Sequence, residues 1–65
     1  MDVIIRNPVK RELRIEGRRR VKQLLKELDL NPESHIVIRD KSLLTSDEML
    51  RDEDRVEILS AISGG

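Results

Sequence analysis

The residues best placed to do chemistry stand at the end of the sequence, in the stretch Ile62-Ser63-Gly64-Gly65. A terminal glycine pair adds nothing to a fold, because glycine loses more conformational freedom than any other residue when it is ordered. Without Cβ atoms, however, Gly64 and Gly65 can pass through a channel too narrow for other residues. The pattern suggests that the α-carboxylate of Gly65 is the reacting group and that Gly64, Ser63 and Ile62 thread it into a partner. The alternative is a frayed terminus, which is common at chain ends.

A basic run, Arg18-Arg19-Arg20, is the second candidate. It lies at the predicted start of a helix, where the helix dipole disfavours cations. Arg18, Lys22 and Lys26 would also form a ridge of like charge at helical spacing. Residues that break a local rule without visible compensation are candidates for function. The run therefore suggests a surface for RNA or for an acidic protein groove.

The charge balance offers a second explanation for this run. The net charge of zero combines nine Lys/Arg against three Asp/Glu in residues 1–26 with four against ten in residues 27–65. The two halves could present separate basic and acidic faces to partners. They could equally neutralise each other once the chain folds.

The remaining side chains offer little for enzyme chemistry. The sequence has one histidine, His35, and no cysteine, so it has no thiolate nucleophile and no second imidazole or thiol to form a zinc site with His35. The acidic stretch 52–54 does not have the spacing of a calcium loop, and no glycine-rich phosphate loop is present. Phe, Tyr and Trp are absent, which argues against direct nucleic-acid binding by base stacking. We expect a protein that is not an enzyme and binds no metal or cofactor itself.

Hydrophobic periodicity predicts the elements that position these residues. Residues 2–6 and 10–16 are interpreted as a hairpin around Asn7-Pro8-Val9, and Gly17 ends the second strand. The apolar stripe Val21, Leu24, Leu25, Leu28 predicts a helix from about Arg19 to Leu28. Further strands are predicted at 35–39, 42–44 and 55–61, with a single helical turn at 46–48 and a polar turn at 51–54.

One helix can cover only one face of such a sheet. The side chains assigned to the covered face are Val3, Ile5, Leu13, Ile15, Ile36, Ile38, Val56 and Ile58. Ile4, Val37 and Leu59 are left on the open face. They are interpreted either as a docking patch for a partner or as scattered surface hydrophobics.

The sequence therefore predicts an α+β domain at residues 1–61, followed by a flexible tail at 62–65. No apolar stretch reaches the roughly 20 residues of a membrane span, and no signal peptide opens the chain. We expect a cytoplasmic protein that is a monomer when free and does not contact the membrane.

The element order, the helix-and-turn stretch "VKQLLKELDLNPES" and the ending "VEILSAISGG" together resemble the ubiquitin-like sulfur carriers of the ThiS and MoaD type. The resemblance covers the whole chain. The ending is most similar to carriers that serve tRNA 2-thiolation in thermophilic bacteria. It lacks the Phe and Pro that molybdopterin carriers typically show before their glycines. A role in thiamine biosynthesis stays open.

This resemblance implies a β-grasp (ubiquitin-like) fold, a mixed sheet of four or five strands with one main helix on one face. It also implies that a partner resembling the ubiquitin-activating enzymes adenylates Gly65, using ATP and Mg²⁺. A cysteine desulfurase or rhodanese-like donor would then supply sulfur for a thiocarboxylate. A tRNA thiolase or thiazole synthase would accept that sulfur. Isopeptide bonds to protein lysines are a second implied role. The competing hypothesis is a small RNA- or protein-binding module that uses the basic surface Arg18–Lys26.

Overall fold

The computed structural model of the chain describes residues 1–6 and 9–61. Asn7 and Pro8 of the predicted hairpin turn lie outside the described residues. The elements follow in the order β1 (Asp2–Ile5), β2 (Arg11–Arg14), β3 (Arg19–Arg20), α1 (Val21–Glu27), β4 (His35–Arg39), β5 (Ser42–Leu44), β6 (Met49–Leu50) and β7 (Arg55–Ser60).

Five of the strands form one mixed sheet in the order β2-β1-β7-β4-β5. The central pair β1–β7 is parallel, and the other three pairs are antiparallel. Strands β3 and β6 form a separate two-stranded ribbon. A mixed sheet with a parallel central pair and one helix is the β-grasp arrangement, so the predicted fold class is confirmed.

The hydrophobic core lies between the sheet and α1. Alternation along β1 and β7 turns Val3, Ile5, Val56 and Ile58 inward. The helix meets them with Val21, Leu24 and Leu25, three positions of the predicted apolar stripe, all buried. Met1, Val37 and Leu50 complete the cluster of buried side chains.

The helix is shorter at its start than the periodicity predicted. Arg19 and Arg20 pair with Leu50 and Met49 as strand residues, so α1 begins at Val21. The backbone N–H of Arg20 donates to Gln23 Oε1 at 2.9 Å, which fixes the entry to the first turn. The predicted helical turn at 46–48 is instead a hydrogen-bonded turn, in which Glu48 N–H donates to the Thr45 carbonyl at 3.2 Å.

The side chains of strand β4 lie on the opposite faces of the sheet from those predicted. Val37 lies opposite Ile58 and is 1% exposed, so it belongs to the core. Ile36 and Ile38, predicted to face the helix, lie opposite Leu59 and Glu57 on the open face. The prediction failed because Ile36, Val37 and Ile38 are all apolar, and a continuous apolar run carries no alternation from which to set the phase.

Candidate functional site

The root of the tail lies at the end of β7, beside the start of β4. His35 and Ser60 are cross-strand partners, and the N–H of Ala61 donates to the Ser34 carbonyl at 2.7 Å. The predictions for Ile62, Ser63, Gly64 and Gly65 lie outside the described residues. The structure gives the position of Ala61, the last described residue before that segment.

The loop that receives Ala61 is held by hydrogen bonds centred on Asn31. The Asn31 carbonyl accepts from Ser34 N–H at 3.1 Å and lies 3.0 Å from His35 Nδ1, which donates to it in the tautomer that carries the Nδ1 proton. Ser34 Oγ lies 3.1 Å from the same ring nitrogen. The Asn31 side-chain oxygen also accepts from Glu33 N–H at 2.9 Å. His35 is half-buried within this loop, which we name the root loop (residues 31–35). Its imidazole has a structural role here. Across residues 1–6 and 9–61, no group of three or more His, Asp or Glu side chains is placed to hold a metal ion.

The open face of the sheet carries a row of apolar side chains next to the tail root. Leu59 and Ile36 lie opposite each other, and both are half-buried. Ile38 continues the row to Leu43, which is 64% exposed at the sheet edge. An ion pair between Arg6 and Glu57, with Nε–Oε2 at 3.2 Å, crosses the same face. We call Leu59, Ile36, Ile38 and Leu43 the open-face row.

Two of the three residues predicted for docking are corrected by this geometry. Val37 lies in the core, as described above, and offers no surface. Ile4 does lie on the open face, yet it is only 5% exposed. The long side chains of Arg14 and Arg55 line the same recess as Ile4 and shield it from solvent. Leu59 lies on the open face as predicted, and Ile36 and Ile38, which were assigned to the covered face, lie there with it.

The predicted helical ridge of Arg18, Lys22 and Lys26 does not form, because Arg18 lies before β3 and only the two lysines lie on α1. Lys22 Nζ is paired with Asp47 Oδ1 at 3.1 Å. The alternative explanation, neutralisation by the acidic half of the chain, therefore holds for Lys22.

Arg19 is also neutralised. Its guanidinium contacts the Glu27 carboxylate and the Glu16 carbonyl, and its side chain is largely buried. Arg20 differs, because its Nη1 donates to the Asp47 backbone carbonyl at 2.9 Å and not to a carboxylate.

The acidic stretch 52–54 is a structural turn, as predicted. Partial burial raises the pKa of Asp54. Hydrogen bonds from Arg51 N–H and from Arg39 Nη1, each at 2.8 Å, lower the pKa by more than burial raises it, so the net shift is downward. Asp52 accepts from the N–H of Gly17 at 2.8 Å, and this bond holds the pKa of its carboxyl below the usual value. Gly17 has φ +98, a conformation that favours glycine.

Comparison with known sequences agrees with this fold. The sequence model of the ThiS family matches residues 4–65. The chain belongs to the ThiS family. A curated relative, the sulfur carrier protein TtuB of Thermus thermophilus, is 45% identical over 65 residues, which cover 100% of each chain. The family predicted from the element order and the ending is therefore confirmed.

The β3–β6 ribbon of this ThiS-family chain was not predicted from the sequence. Each of its strands has only two residues, so neither shows a period. The one available signal is Leu50, an apolar residue in a polar stretch, which is fully buried and fixes the ribbon to the core. In the described part of the chain, no helix has the length and apolar character needed to cross a membrane.

Proposed function

We propose that this protein is a sulfur carrier whose C-terminal carboxylate, on Gly65, is the group that is activated and loaded. The observation that carries the proposal is the full-length match to a relative named as a sulfur carrier, with the family match extending to residue 65. The placement of the tail root at a strand end supports it, because the segment after Ala61 leaves from a hydrogen-bonded anchor.

The chemistry belongs to partner enzymes. A carboxylate is a poor electrophile, so an activating enzyme with ATP and Mg²⁺ first forms the acyl adenylate of Gly65 and releases pyrophosphate. A persulfide from a cysteine desulfurase or rhodanese-like donor then attacks the acyl carbon, and AMP leaves. A thiol cleaves the resulting acyl disulfide, giving the Gly65 thiocarboxylate and a disulfide on the donor side.

The described residues hold the part of the chain that directly precedes the segment with this carboxylate. Strands β7 and β4 and the root loop fix the point of exit, and the open-face row offers apolar surface beside it. Ordering a free segment costs about 1–2 kcal/mol per residue, so the tail alone is a weak ligand. Contact between the activating enzyme and the folded domain is therefore part of the proposal.

The acceptor we propose is a tRNA-thiolating enzyme, because the ending is most similar to carriers of that pathway. A thiazole synthase of thiamine biosynthesis is the other candidate. We also propose a second role, protein modification, in which the activated Gly65 forms an isopeptide bond with a lysine ε-amine.

Intact-mass analysis tests the proposal directly. The protein is incubated with its cognate activating enzyme, ATP, Mg²⁺ and a persulfide donor. The expected product shows replacement of one oxygen by sulfur, located at Gly65 by fragmentation. A chain that gains neither AMP nor sulfur under these conditions would contradict the proposal.

A chain lacking Gly64 and Gly65 is the matched control. We expect it to be inert to activation but to keep its melting temperature within a few degrees, because the buried core cluster lies within residues 1–58. A large loss of melting temperature would instead show that the tail has a structural role.

A further inference from the structure

The β3–β6 ribbon has a basic outer face. Its register pairs Arg19 with Leu50 and Arg20 with Met49. Leu50 is fully buried, so its pair faces the core, and alternation turns Arg20 and Met49 outward. Arg18 and Arg51 directly flank the paired residues of the ribbon, and both line one recess. We name Arg18, Arg20, Met49 and Arg51 the ribbon patch.

The arginines of this patch differ from the other basic residues nearby. Lys22 is paired with Asp47, and Arg39 Nη1 is paired with Asp54 Oδ2 at 2.8 Å. Within the described residues, the guanidinium groups of Arg18, Arg20 and Arg51 form no salt bridge, although the charge of Arg51 acts on Asp54 at longer range. Like charges that lie opposite each other on neighbouring strands are destabilising. The fold therefore tolerates an unfavourable arrangement here, which is the pattern expected of a functional surface.

The patch surrounds a recess that a side chain can enter. Arg18, Arg39, Met49, Arg51 and Asp54 line this recess, whose volume is about 460 Å³. Met49 is 45% exposed and supplies an apolar wall. Arg39 is fixed in place because its Nη1 also donates to the Met49 carbonyl at 3.2 Å. Exposed methionine flanked by arginine is typical of protein interfaces.

We propose that the ribbon patch binds an acidic segment of another protein, one that carries an apolar side chain between its carboxylates. Arg18 and Arg51 would each take a carboxylate through paired N–H donors, and Met49 would contact the apolar side chain. RNA fits less well, because the sequence has no aromatic residue on which bases could stack.

This surface lies away from the tail root. Strand β7 is paired with β4 so that Ser60 meets His35, and the opposite end of β4 is Arg39, in the recess. Four residues of strand, about 13 Å, separate the two ends. The open-face row is on the other side of the sheet. A partner bound at the ribbon patch therefore leaves the tail and the open face accessible, and the proposal does not depend on the sulfur-carrier chemistry.

Titration of the full-length protein with a synthetic peptide tests the proposal. The probe is a fluorescently labelled heptapeptide with one leucine flanked on each side by three acidic residues. We expect binding that perturbs the NMR signals of Arg18, Met49 and Arg51 and weakens with salt. Arg51→Glu should reduce the affinity about tenfold or more. Thermal unfolding checks that the variant keeps its fold.

Arg11→Glu is the matched control, since Arg11 is an exposed arginine on β2, at the far edge of the sheet. We expect it to leave the peptide affinity within about twofold, as for a surface charge beyond the Debye length. A second peptide with serine in place of leucine should bind more weakly than the first, and Met49→Ser should remove that difference. Three results would each overturn the proposal: no perturbation at millimolar peptide, an equal loss in Arg11→Glu, or tighter binding of a labelled oligouridylate.

Discussion

Individual side chains of α1 carry much of the stability of this small domain. Leu25 is 1% exposed and packs in the core cluster between helix and sheet. We expect Leu25→Ala to lower the free energy of unfolding by about 2–5 kcal/mol, the range for truncating a buried leucine. The measurement is urea denaturation. Lys26→Ala, at the neighbouring exposed position, should change stability by less than about 0.5 kcal/mol. A Leu25→Ala effect as small as that of Lys26→Ala would contradict the assigned packing.

The lowered pKa of Asp54 makes the free energy of unfolding depend on pH. Partial burial raises its pKa, but the hydrogen bonds from Arg51 N–H and Arg39 outweigh burial, so the folded-state pKa lies below the ordinary value of 3.8. The unfolded chain therefore takes up the proton at higher pH than the folded chain does. The stabilisation is complete above 3.8 and is lost as the pH falls through the lowered pKa.

Thermal unfolding between neutral pH and strong acid measures this effect. We expect Asp54→Asn to be less stable than the parent near neutral pH and to lose less stability on acidification. Glu53→Gln, at an exposed position of the same turn, should follow the parent profile. If the Asp54→Asn profile ran parallel to that of the parent at all pH values, the Asp54 carboxylate would not be the source of the pH-dependent stability.

Single-residue placements were predictable where a period was present. The stripe Val21, Leu24, Leu25 has helical spacing, so its burial was predicted correctly. Ile4 shows what a sequence pattern cannot reveal. Its strand face was predicted correctly, but its shielding depends on Arg14 and Arg55, which come from other strands and meet it only in the folded sheet.

At the scale of elements, the root loop is the anchor for the tail. The loop holds Ala61 through the Ser34 carbonyl, and His35 Nδ1 fixes the loop by donating to the Asn31 carbonyl. Loss of one such hydrogen bond costs about 0.5–1.5 kcal/mol. His35→Ala should therefore speed hydrogen exchange of the Ala61 amide by about 2–10-fold.

His35→Asn is the control for this prediction, because an amide Nδ2 can stand in for the ring Nδ1 as donor. Exchange at Ala61 in His35→Asn should stay closer to the parent than in His35→Ala. Equal exchange in all three proteins would show that the ring does not anchor the loop.

Element boundaries failed where local pattern and tertiary pairing disagreed. Residues 19 and 20 were predicted to form the start of the helix. They pair instead with β6, which lies about 30 positions away in the sequence. Strand β4 was located correctly, but its phase depends on whether Val37 or the two flanking isoleucines face α1, and "HIVIR" is apolar at three successive positions. Contacts distant in sequence decided both cases.

At the scale of the whole molecule, the parallel pairing of β1 with β7 makes the sheet mixed, as the β-grasp fold requires. The order of elements alone does not specify this pairing; the resemblance to a known family did. With this pairing, β7 is the central strand of the sheet. The chain runs along β7 from the core to the tail root. The segment that carries Gly65 thus follows the central strand of the sheet.

The open-face row predicts where the activating enzyme contacts the domain. A segment as short as the tail binds weakly alone, because ordering its backbone costs about 1–2 kcal/mol per residue. Apolar surface beside the tail root can supply the missing affinity, and Leu59 lies there with Ile36 opposite. Leu59→Asp places a charge in that surface and should weaken binding to the activating enzyme about tenfold or more.

Calorimetric titration of the carrier against that enzyme measures the effect. Leu59 lies outside the core cluster, so the variant should keep its fold, which circular dichroism checks. Lys26→Asp is the control, since Lys26 is exposed on α1, which covers the opposite face of the sheet. It should bind as the parent does. Unchanged affinity in Leu59→Asp would place the contact elsewhere on the domain, because a carboxylate cannot be buried at an apolar interface without a large loss of binding free energy.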